Sequence, residues 1–251
     1  MMARLVGQLA QSAPGVDYSL CVVSNRDKIN DAEDANWLGR IREVLEKALH
    51  GKPWQPQDVY VALRENTGMN IGAWNHAWQF QSHHDTYLFL QDEVILQRPN
   101  WLAQYAACGQ MVRGDGNGFY LLGESFNNRW QLAWSSLRQS SLNVYAPGHP
   151  PDQRRVDFYL QCMRQWGVDP GSDGGHLRSL VWFSNRQTLD HLAGFRLGRG
   201  YGECIAAEIA ASRAVLAAGG VVQQIEQSPF AVFWHPEWRK DGVSKIKPAE
   251  V

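Results

Sequence analysis

Two acidic residues follow a short apolar stretch, and this arrangement is typical of a site for a divalent cation. Residues 86–90, TYLFL, are predicted to form a buried strand, and Gln91, Asp92 and Glu93 come directly after it. Mg²⁺ and Mn²⁺ prefer oxygen ligands and commonly link one or two carboxylates to the phosphates of a substrate. Asp92 and Glu93 are therefore candidate metal ligands. A solvated acidic turn is the alternative interpretation of the same residues.

A second polar segment joins a predicted strand to a predicted helix. It contains Asn66, Gly68 and Gly72 and leads into the helix predicted over residues 71–82. Glycine allows the backbone to approach a ligand closely, and the N–H groups at a helix N-terminus can bind an anion. Asn66 and Gly68 are thus candidate ligand-binding residues. A plain turn with an asparagine cap is the alternative.

Two glutamates and a histidine later in the chain are the remaining candidates. Glu203 and Glu208 lie in the first turns of an Ala-rich helix, where the helix dipole favours an ionised carboxylate. A carboxylate held there could accept the proton of a hydroxyl group. His235 follows a short predicted strand and is flanked by tryptophans, so it could complete a metal site or contact a diphosphate. Ordinary helix-end charge and a packing histidine are the alternatives.

Length, charge and cysteine spacing narrow the class of protein. A chain of 251 residues suits one α/β domain. The 24 Lys and Arg residues balance 25 Asp and Glu residues, whereas a dedicated nucleic-acid binder usually carries a basic excess. The four cysteines form no CxxC pair, which favours a cytoplasmic protein with reduced thiols. No apolar run is long enough for a transmembrane helix and the N-terminus does not resemble a signal peptide, so any membrane association would be peripheral.

Short apolar strands alternate with helices along the chain, and this order predicts an α/β fold. The strands are continuously apolar, so we expect one open, mostly parallel sheet flanked by helices, with ligands bound outside the carboxyl ends of the strands. The Lys-rich tail after Trp238 is predicted to be solvated. Strands are predicted at residues 18–23, 59–63, 86–90, 119–122, 179–183, 221–225 and 230–233. Helices are predicted at residues 1–14, 34–49, 71–82, 101–111, 156–166 and 205–218.

The order of these segments resembles family-two glycosyltransferases of the GT-A fold. In that family an apolar strand precedes an aspartate-rich triplet and then Pro and Trp-Leu, as in LFLQDEVILQRPNWL here. Residues 178–195, RSLVWFSNRQTLDHLAGF, are similar to the family's strand, helix and turn, and acidic helix residues follow them. The resemblance covers most of residues 16–225. It implies a single GT-A-like domain, with a Rossmann-like nucleotide-sugar half over about residues 1–125 and an acceptor half over about residues 126–251.

The resemblance implies an inverting, metal-dependent, hexosyltransferase-like enzyme. It would move a sugar from a nucleotide sugar to a glycan or lipid-linked acceptor in bacterial surface polysaccharide biosynthesis. Asp92 and Glu93 would hold Mg²⁺ or Mn²⁺ against the diphosphate, with His235 as a later metal or diphosphate contact. Glu208 would deprotonate the acceptor hydroxyl, because its spacing to Gly219 matches the family, and Glu203 is the alternate. The nucleotide would lie beside Ser24, Asn25, Asn66 and Gly68, and the acceptor surface would include Trp74, Trp130, Trp134 and Trp182.

The sequence is also compatible with two other functions. Gln91 and Glu93 stand where the family usually has aspartates, and residues 59–63 lead into Arg64-Glu65-Asn66 instead of an aspartate pair. These differences suit a catalytically inactive relative with a shortened donor half, which would bind glycans or partner enzymes. A nucleotidyltransferase on a similar sheet is the third hypothesis. It predicts a Gly-rich, basic N-terminal loop, which the sequence lacks.

Overall fold

The computed structural model describes residues 1–28, 30–114 and 118–236, and the predicted solvated tail after Trp238 lies outside these ranges. Helices and strands alternate through the described residues, which confirms the predicted α/β class. None of the helices described is both long enough and apolar enough to cross a bilayer. The four cysteines, Cys21, Cys108, Cys162 and Cys204, form no disulfide bond.

The helices and strands have the following bounds. The helices are α1 (Met2–Gln11), α2 (Asp31–Leu49), α3 (Met69–Phe80), α4 (Trp101–Gly114), α5 (Trp134–Gln139), α6 (Arg155–Gln165), α7 (Arg186–Leu192) and α8 (Tyr201–Ala217). The strands are β1 (Leu20–Arg26), β2 (Val59–Glu65), β3 (Thr86–Leu90), β4 (Ile95–Leu96), β5 (Tyr120–Gly123), β6 (Val181–Asn185), β7 (Val221–Gln224) and β8 (Phe233–Trp234).

The strands form three sheets, so the expectation of one mostly parallel sheet is wrong. Strands β1 and β2 form a parallel pair, and β4 pairs antiparallel with β8. The largest sheet has the order β3-β6-β5-β7, in which β6 runs antiparallel to both neighbours and β5 runs parallel to β7. An apolar run shows that both faces of a strand are covered, but it carries no information about the strand's direction.

The pairing of β1 with β2 places two candidate residues in a strand instead of the predicted loop. Strand β1 was predicted to end at residue 23, with Ser24 and Asn25 in a loop. Instead, both residues continue the strand, and Ser24 pairs with Leu63 and Asn25 with Arg64. Hydrogen bonds between the two strands therefore continue the ladder past the apolar residues of each strand. The apolar pattern of one segment alone does not reveal such a continuation.

Both faces of the largest sheet are covered by aromatic and aliphatic side chains. On one face, Tyr105 of α4 packs with Tyr120 and Phe183, and on the other Trp182 packs with Leu189 of α7. All five residues of β6 are buried. Such burial removes a large apolar area from water, so the packing on both faces of this sheet contributes to hydrophobic stabilisation. It also provides the rigid frame on which the neighbouring loops present their polar groups.

Helix α7 begins at a buried asparagine cap, and its removal is expected to destabilise the fold. The Asn185 side chain accepts a hydrogen bond from Thr188 N at 2.8 Å and donates one to Gly118 O at 2.8 Å. We expect Asn185→Ala to lower the free energy of unfolding by about 1–2 kcal/mol, as measured by urea denaturation. The exposed Asn128 is the matched control, and Asn128→Ala should change stability by less than about 0.5 kcal/mol. Equal effects of the two substitutions would contradict this role of Asn185.

Candidate functional site

One cavity of about 1180 Å³ is lined by acidic candidates from both halves of the chain. Asp92 and Glu93 reach it from the loop after β3, and Glu208 reaches it from α8. A cavity of this size is comparable to large small-molecule sites. The structure therefore brings together the two distant acidic segments that the sequence analysis assigned to one site.

The peptide group of Ser179 connects three of the sequence motifs. Its carbonyl oxygen accepts hydrogen bonds from Asn70 Nδ2 at 2.5 Å and from Gln91 Nε2 at 2.7 Å. Its N–H donates to Glu208 Oε2 at 2.5 Å. Asn70 belongs to the segment after β2, and Gln91 opens the triplet after β3. A single backbone position thus holds the glycine-containing segment, the acidic triplet and the glutamate of α8 in one arrangement.

Glu208 is held as a carboxylate by its neighbours. His176 Nε2 lies 3.2 Å from Glu208 Oε1, and the Glu208 side chain is 17% exposed. Burial would raise the pKa of Glu208, but the hydrogen bonds from His176 and Ser179 and the charge of His176 outweigh it and lower that pKa below its usual value. At neutral pH, Glu208 is therefore ionised, which is the form that can accept a proton.

The orientation of His176 is set by a backbone carbonyl. His176 Nδ1 lies 2.7 Å from Gly174 O, so the ring carries a proton at Nδ1. Its Nε2 faces Glu208 and also lies 3.3 Å from Asn127 Nδ2. His176 is 1% exposed, so the ring cannot turn away from Glu208 without disturbing the core. The result is a fixed imidazole–carboxylate pair at the edge of the cavity.

Glu203, the alternate candidate base, has a different role in the structure. It lies in the first turn of α8 and accepts a hydrogen bond from Arg199 N at 2.7 Å. It does not line the cavity that Glu208 lines. The structure places the two glutamates of α8 in different surroundings, with Glu208 at the cavity and Glu203 at the helix start.

A carboxylate–imidazole contact forms at the acidic residues after β3. His235 Nε2 lies 3.0 Å from Glu93 Oε2, and the antiparallel pairing of Ile95 with Trp234 brings the two residues together. Asp92 is exposed beside them and lines the same cavity. Within the described ranges, no group of three His, Cys, Asp or Glu side chains is gathered closely enough to hold a metal ion. Glu93 and His235 thus form a pair of potential ligands, with Asp92 adjacent.

A buried glutamate that the sequence analysis missed supports the segment before His235. Glu124 follows β5, is 1% exposed, and accepts hydrogen bonds from Val232 N at 3.2 Å and from the Tyr105 hydroxyl. The N–H groups of Ala231 and Phe233 also contribute to its environment. A carboxylate surrounded by consecutive N–H groups holds that backbone in one conformation. Glu124 therefore helps to place His235 beside Glu93.

Glu124 is expected to make stability depend on pH near neutrality. Burial raises the pKa of Glu124 from 4.5 to about 7, despite hydrogen bonds that lower it. The folded protein therefore keeps a proton that the unfolded chain releases above pH 4.5, so stability falls as the pH rises toward 7. Relative to Glu124→Gln, we expect wild-type stability to fall by about 3 kcal/mol between pH 5 and pH 8. Denaturant unfolding at both pH values measures this difference, and a constant difference would contradict it.

The four candidate nucleotide-binding residues fall into two groups. Ser24 and Asn25 line the cavity, whereas Asn66 and Gly68 do not. Asn25 accepts a hydrogen bond from Arg64 Nη1 at 2.7 Å and donates one to Met69 O at 3.2 Å, so it joins β1 to the start of α3. Asn66 is exposed and donates its N–H to Arg26 O. Gly68 has φ 78°, a left-handed conformation that favours glycine, and caps α3.

The tryptophans expected to form an exposed acceptor surface are buried. Trp182 is 0% exposed and packs in the core of the largest sheet. Trp134 is also buried, and neither residue lines the cavity. Trp74 and Trp130 are buried residues that do line it. The expected surface is therefore wrong for Trp134 and Trp182, because the apolar interiors of the two halves require large side chains.

Comparison with models of protein families, with curated proteins and with solved structures finds no significant match to this chain.

Proposed function

We propose that this protein is an inverting, metal-dependent glycosyltransferase that uses a nucleotide sugar and a glycan or lipid-linked acceptor. The observation that carries the proposal is the convergence of Asn70, Gln91 and Glu208 on Ser179 beside a single cavity. A transfer reaction needs a site for a diphosphate leaving group and a base for the acceptor within one enclosed space. The residues that could perform these roles line the same cavity.

The acidic residues after β3 suit a cation that is shared with a phosphorylated substrate. Glu93 and His235 supply one carboxylate and one imidazole in contact, and Asp92 adds a second carboxylate nearby. Mg²⁺ and Mn²⁺ commonly use only one or two protein carboxylates and complete their coordination with phosphates and water. Such an ion would stabilise the negative charge that develops on the departing diphosphate. Asp92, Glu93 and His235 would hold it.

Glu208 would act as the base for the acceptor hydroxyl. Its lowered pKa keeps it ionised at neutral pH, so it can accept the proton of an acceptor hydroxyl as the oxygen attacks the anomeric carbon. The attack comes from the side opposite the leaving group, which inverts the configuration at that carbon. Ser179 and His176 orient the carboxylate throughout. Fixing a base in this way reduces the reorganisation needed when the proton moves.

The proposal is tested by donor binding and donor turnover. Purified protein should show a higher melting temperature with at least one nucleoside diphosphate when Mn²⁺ is present, and it should release nucleoside diphosphate from the matching nucleotide sugar. The same panel without Mn²⁺ is the control. If no nucleoside diphosphate stabilises the protein with Mn²⁺ and no donor is consumed, the proposal is wrong.

One observation favours a catalytically inactive relative as the second candidate. Both carboxylate oxygens of Glu208 already contact protein groups, with Oε1 beside His176 and Oε2 bonded to Ser179 N. A glutamate in this arrangement could serve only to join α8 to the segment before β6. Under this hypothesis the cavity binds glycan without a donor. Glycan binding in the absence of any donor turnover would favour it.

A further inference from the structure

The charged residues that line the cavity come from both halves of the chain. Four carboxylates come from the first half of the chain, and both lining arginines, Arg155 and Arg178, come from the second half together with Glu208. The four carboxylates are those of Asp17, Asp85, Asp92 and Glu93. A cation and its bound diphosphate suit Asp92 and Glu93. The lining residues of the second half, two arginines and one glutamate, carry an excess of positive charge.

Arg155 lines the same cavity as Glu208, and one donor of its guanidinium has no partner. Its Nε is buried and has no hydrogen-bond partner. None of the ion pairs between described residues includes Arg155. A buried donor without a partner costs free energy, and for a charged group that cost is larger. Because Arg155 lines the cavity and forms no ion pair with the described residues, its charge is available to an anion that enters there.

Arg178 contributes a second, fixed positive charge. It is 7% exposed, and its Nη1 donates to Ser125 Oγ at 2.5 Å and to Phe126 O at 3.2 Å. Burial lowers the pKa of Arg178, and the nearby Glu208 carboxylate opposes that effect. Arg178 thus offsets the charge of Glu208, which would otherwise repel an anion in this part of the cavity.

Arg155 and Glu208 both lie near the hydroxyl of the buried Tyr159. Burial raises the pKa of Tyr159, while the charge of Arg155 and a hydrogen bond from its side chain lower it and the charge of Glu208 raises it. Tyr159, Arg155 and Glu208 all line the cavity. A ligand whose hydroxyl approaches Glu208 would therefore have its neighbouring substituents close to Arg155.

We propose that the acceptor is an anionic sugar, and that Arg155 binds its carboxylate or phosphate group while Glu208 receives its reacting hydroxyl. A guanidinium binds both groups through paired N–H donors. This inference rests on the proposed function, because it concerns the acceptor of the same cavity. It adds the class of acceptor and a specificity-determining residue. The donor diphosphate is assigned to the metal ion at Asp92 and Glu93, which leaves Arg155 for the acceptor.

The test compares three trisaccharides that differ only at C6 by isothermal titration calorimetry, without donor or metal. The probes are trigalacturonate, galactotriose, and galactotriose phosphorylated at O6. We expect at least one of the anionic probes to bind about tenfold more tightly than galactotriose. The affinities of trigalacturonate and of the phosphorylated galactotriose show whether the site prefers a carboxylate or a phosphate. Arg155→Ala should remove the tenfold preference, and Arg155→Lys should retain part of it.

The adjacent arginine is the matched control. Arg154 is exposed, and its guanidinium lies over the ring of Tyr145 at 5.6 Å without lining the cavity. Arg154→Ala should leave the preference unchanged. Equal or absent binding of all three sugars, or a preference that survives Arg155→Ala, would overturn the inference. The inference would also be overturned if Arg155→Ala lowered the affinity for nucleoside diphosphate as much as the affinity for the anionic sugar. Because the binding assay needs no donor, its failure is distinct from failure of donor turnover.

Discussion

Glu208→Gln is expected to lower kcat for sugar transfer by about 10²–10⁴-fold, the usual contribution of a positioned general base. Glutamine has nearly the same shape and can still accept the Ser179 N–H hydrogen bond, but it cannot take the proton of a hydroxyl. The affinity for the nucleoside diphosphate should change little, because the donor lies toward Asp92 and Glu93 in the proposed arrangement. Steady-state release of nucleoside diphosphate in the presence of acceptor measures kcat, and thermal shift measures donor binding.

The second glutamate of α8 provides the comparison for this variant. Glu203 bonds to Arg199 N and does not line the cavity. Glu203→Gln should therefore keep kcat within about threefold of wild type, which is a change of less than about 0.7 kcal/mol in the activation free energy. A large loss in Glu203→Gln together with normal activity in Glu208→Gln would reverse the assignment. Retained activity in both variants would remove the proposed base from the mechanism.

Glu93→Gln is expected to lower Mn²⁺-dependent turnover by about a hundredfold or more, because a metal ion contributes several kcal/mol to charge stabilisation. The substitution removes the carboxylate charge while it retains a side chain that can contact His235. The stabilisation of the protein by nucleoside diphosphate should lose its dependence on Mn²⁺. Titration of Mn²⁺ at a fixed donor concentration measures both effects. Chelation of divalent cations from the wild-type protein should abolish turnover, and added Mn²⁺ should restore it.

Glu226, which forms a surface ion pair with Arg98, is the control residue for Glu93. Glu226 Oε1 lies 2.6 Å from Arg98 Nη1 and does not line the cavity. Glu226→Gln should leave the Mn²⁺ dependence unchanged, because an exposed pair contributes little. If Glu93→Gln retains the wild-type response to Mn²⁺, the metal site is elsewhere or the reaction does not use these residues.

The strands and helices near the site were predictable from the sequence, since their signals are local. Strand β3 was predicted with the bounds that the structure shows, residues 86–90, because its apolar run ends abruptly at Gln91. Helix α8 was predicted four residues late, because Tyr201 and Gly202 interrupt the Ala-rich pattern of its interior. The direction of β6 was not predictable, because a strand covered on both faces has the same residue pattern in either direction.

The sequence pattern did not indicate which residues form hydrogen bonds with the candidate residues. His176 was not identified, because it lies in a Gly-rich loop and contacts Glu208 only when α8 packs beside the segment before β6. Gln91 was treated as a departure from a family pattern, yet in the structure it donates to Ser179 O. Glu124 likewise became recognisable only through its hydrogen bonds to the backbone near Val232. Each contact joins segments that are far apart along the chain.

The sequence alone determined where carboxylates, imidazoles and glycines occur relative to the ends of strands and helices. Only the tertiary structure decided which of them share the cavity. Glu203 and Glu208 are five positions apart in one helix, so their side chains point about 140° away from each other. The packing of α8 decides which of the two faces the cavity. His235 and Glu93 are separated by 142 residues, and the pairing of β4 with β8 brings them into contact.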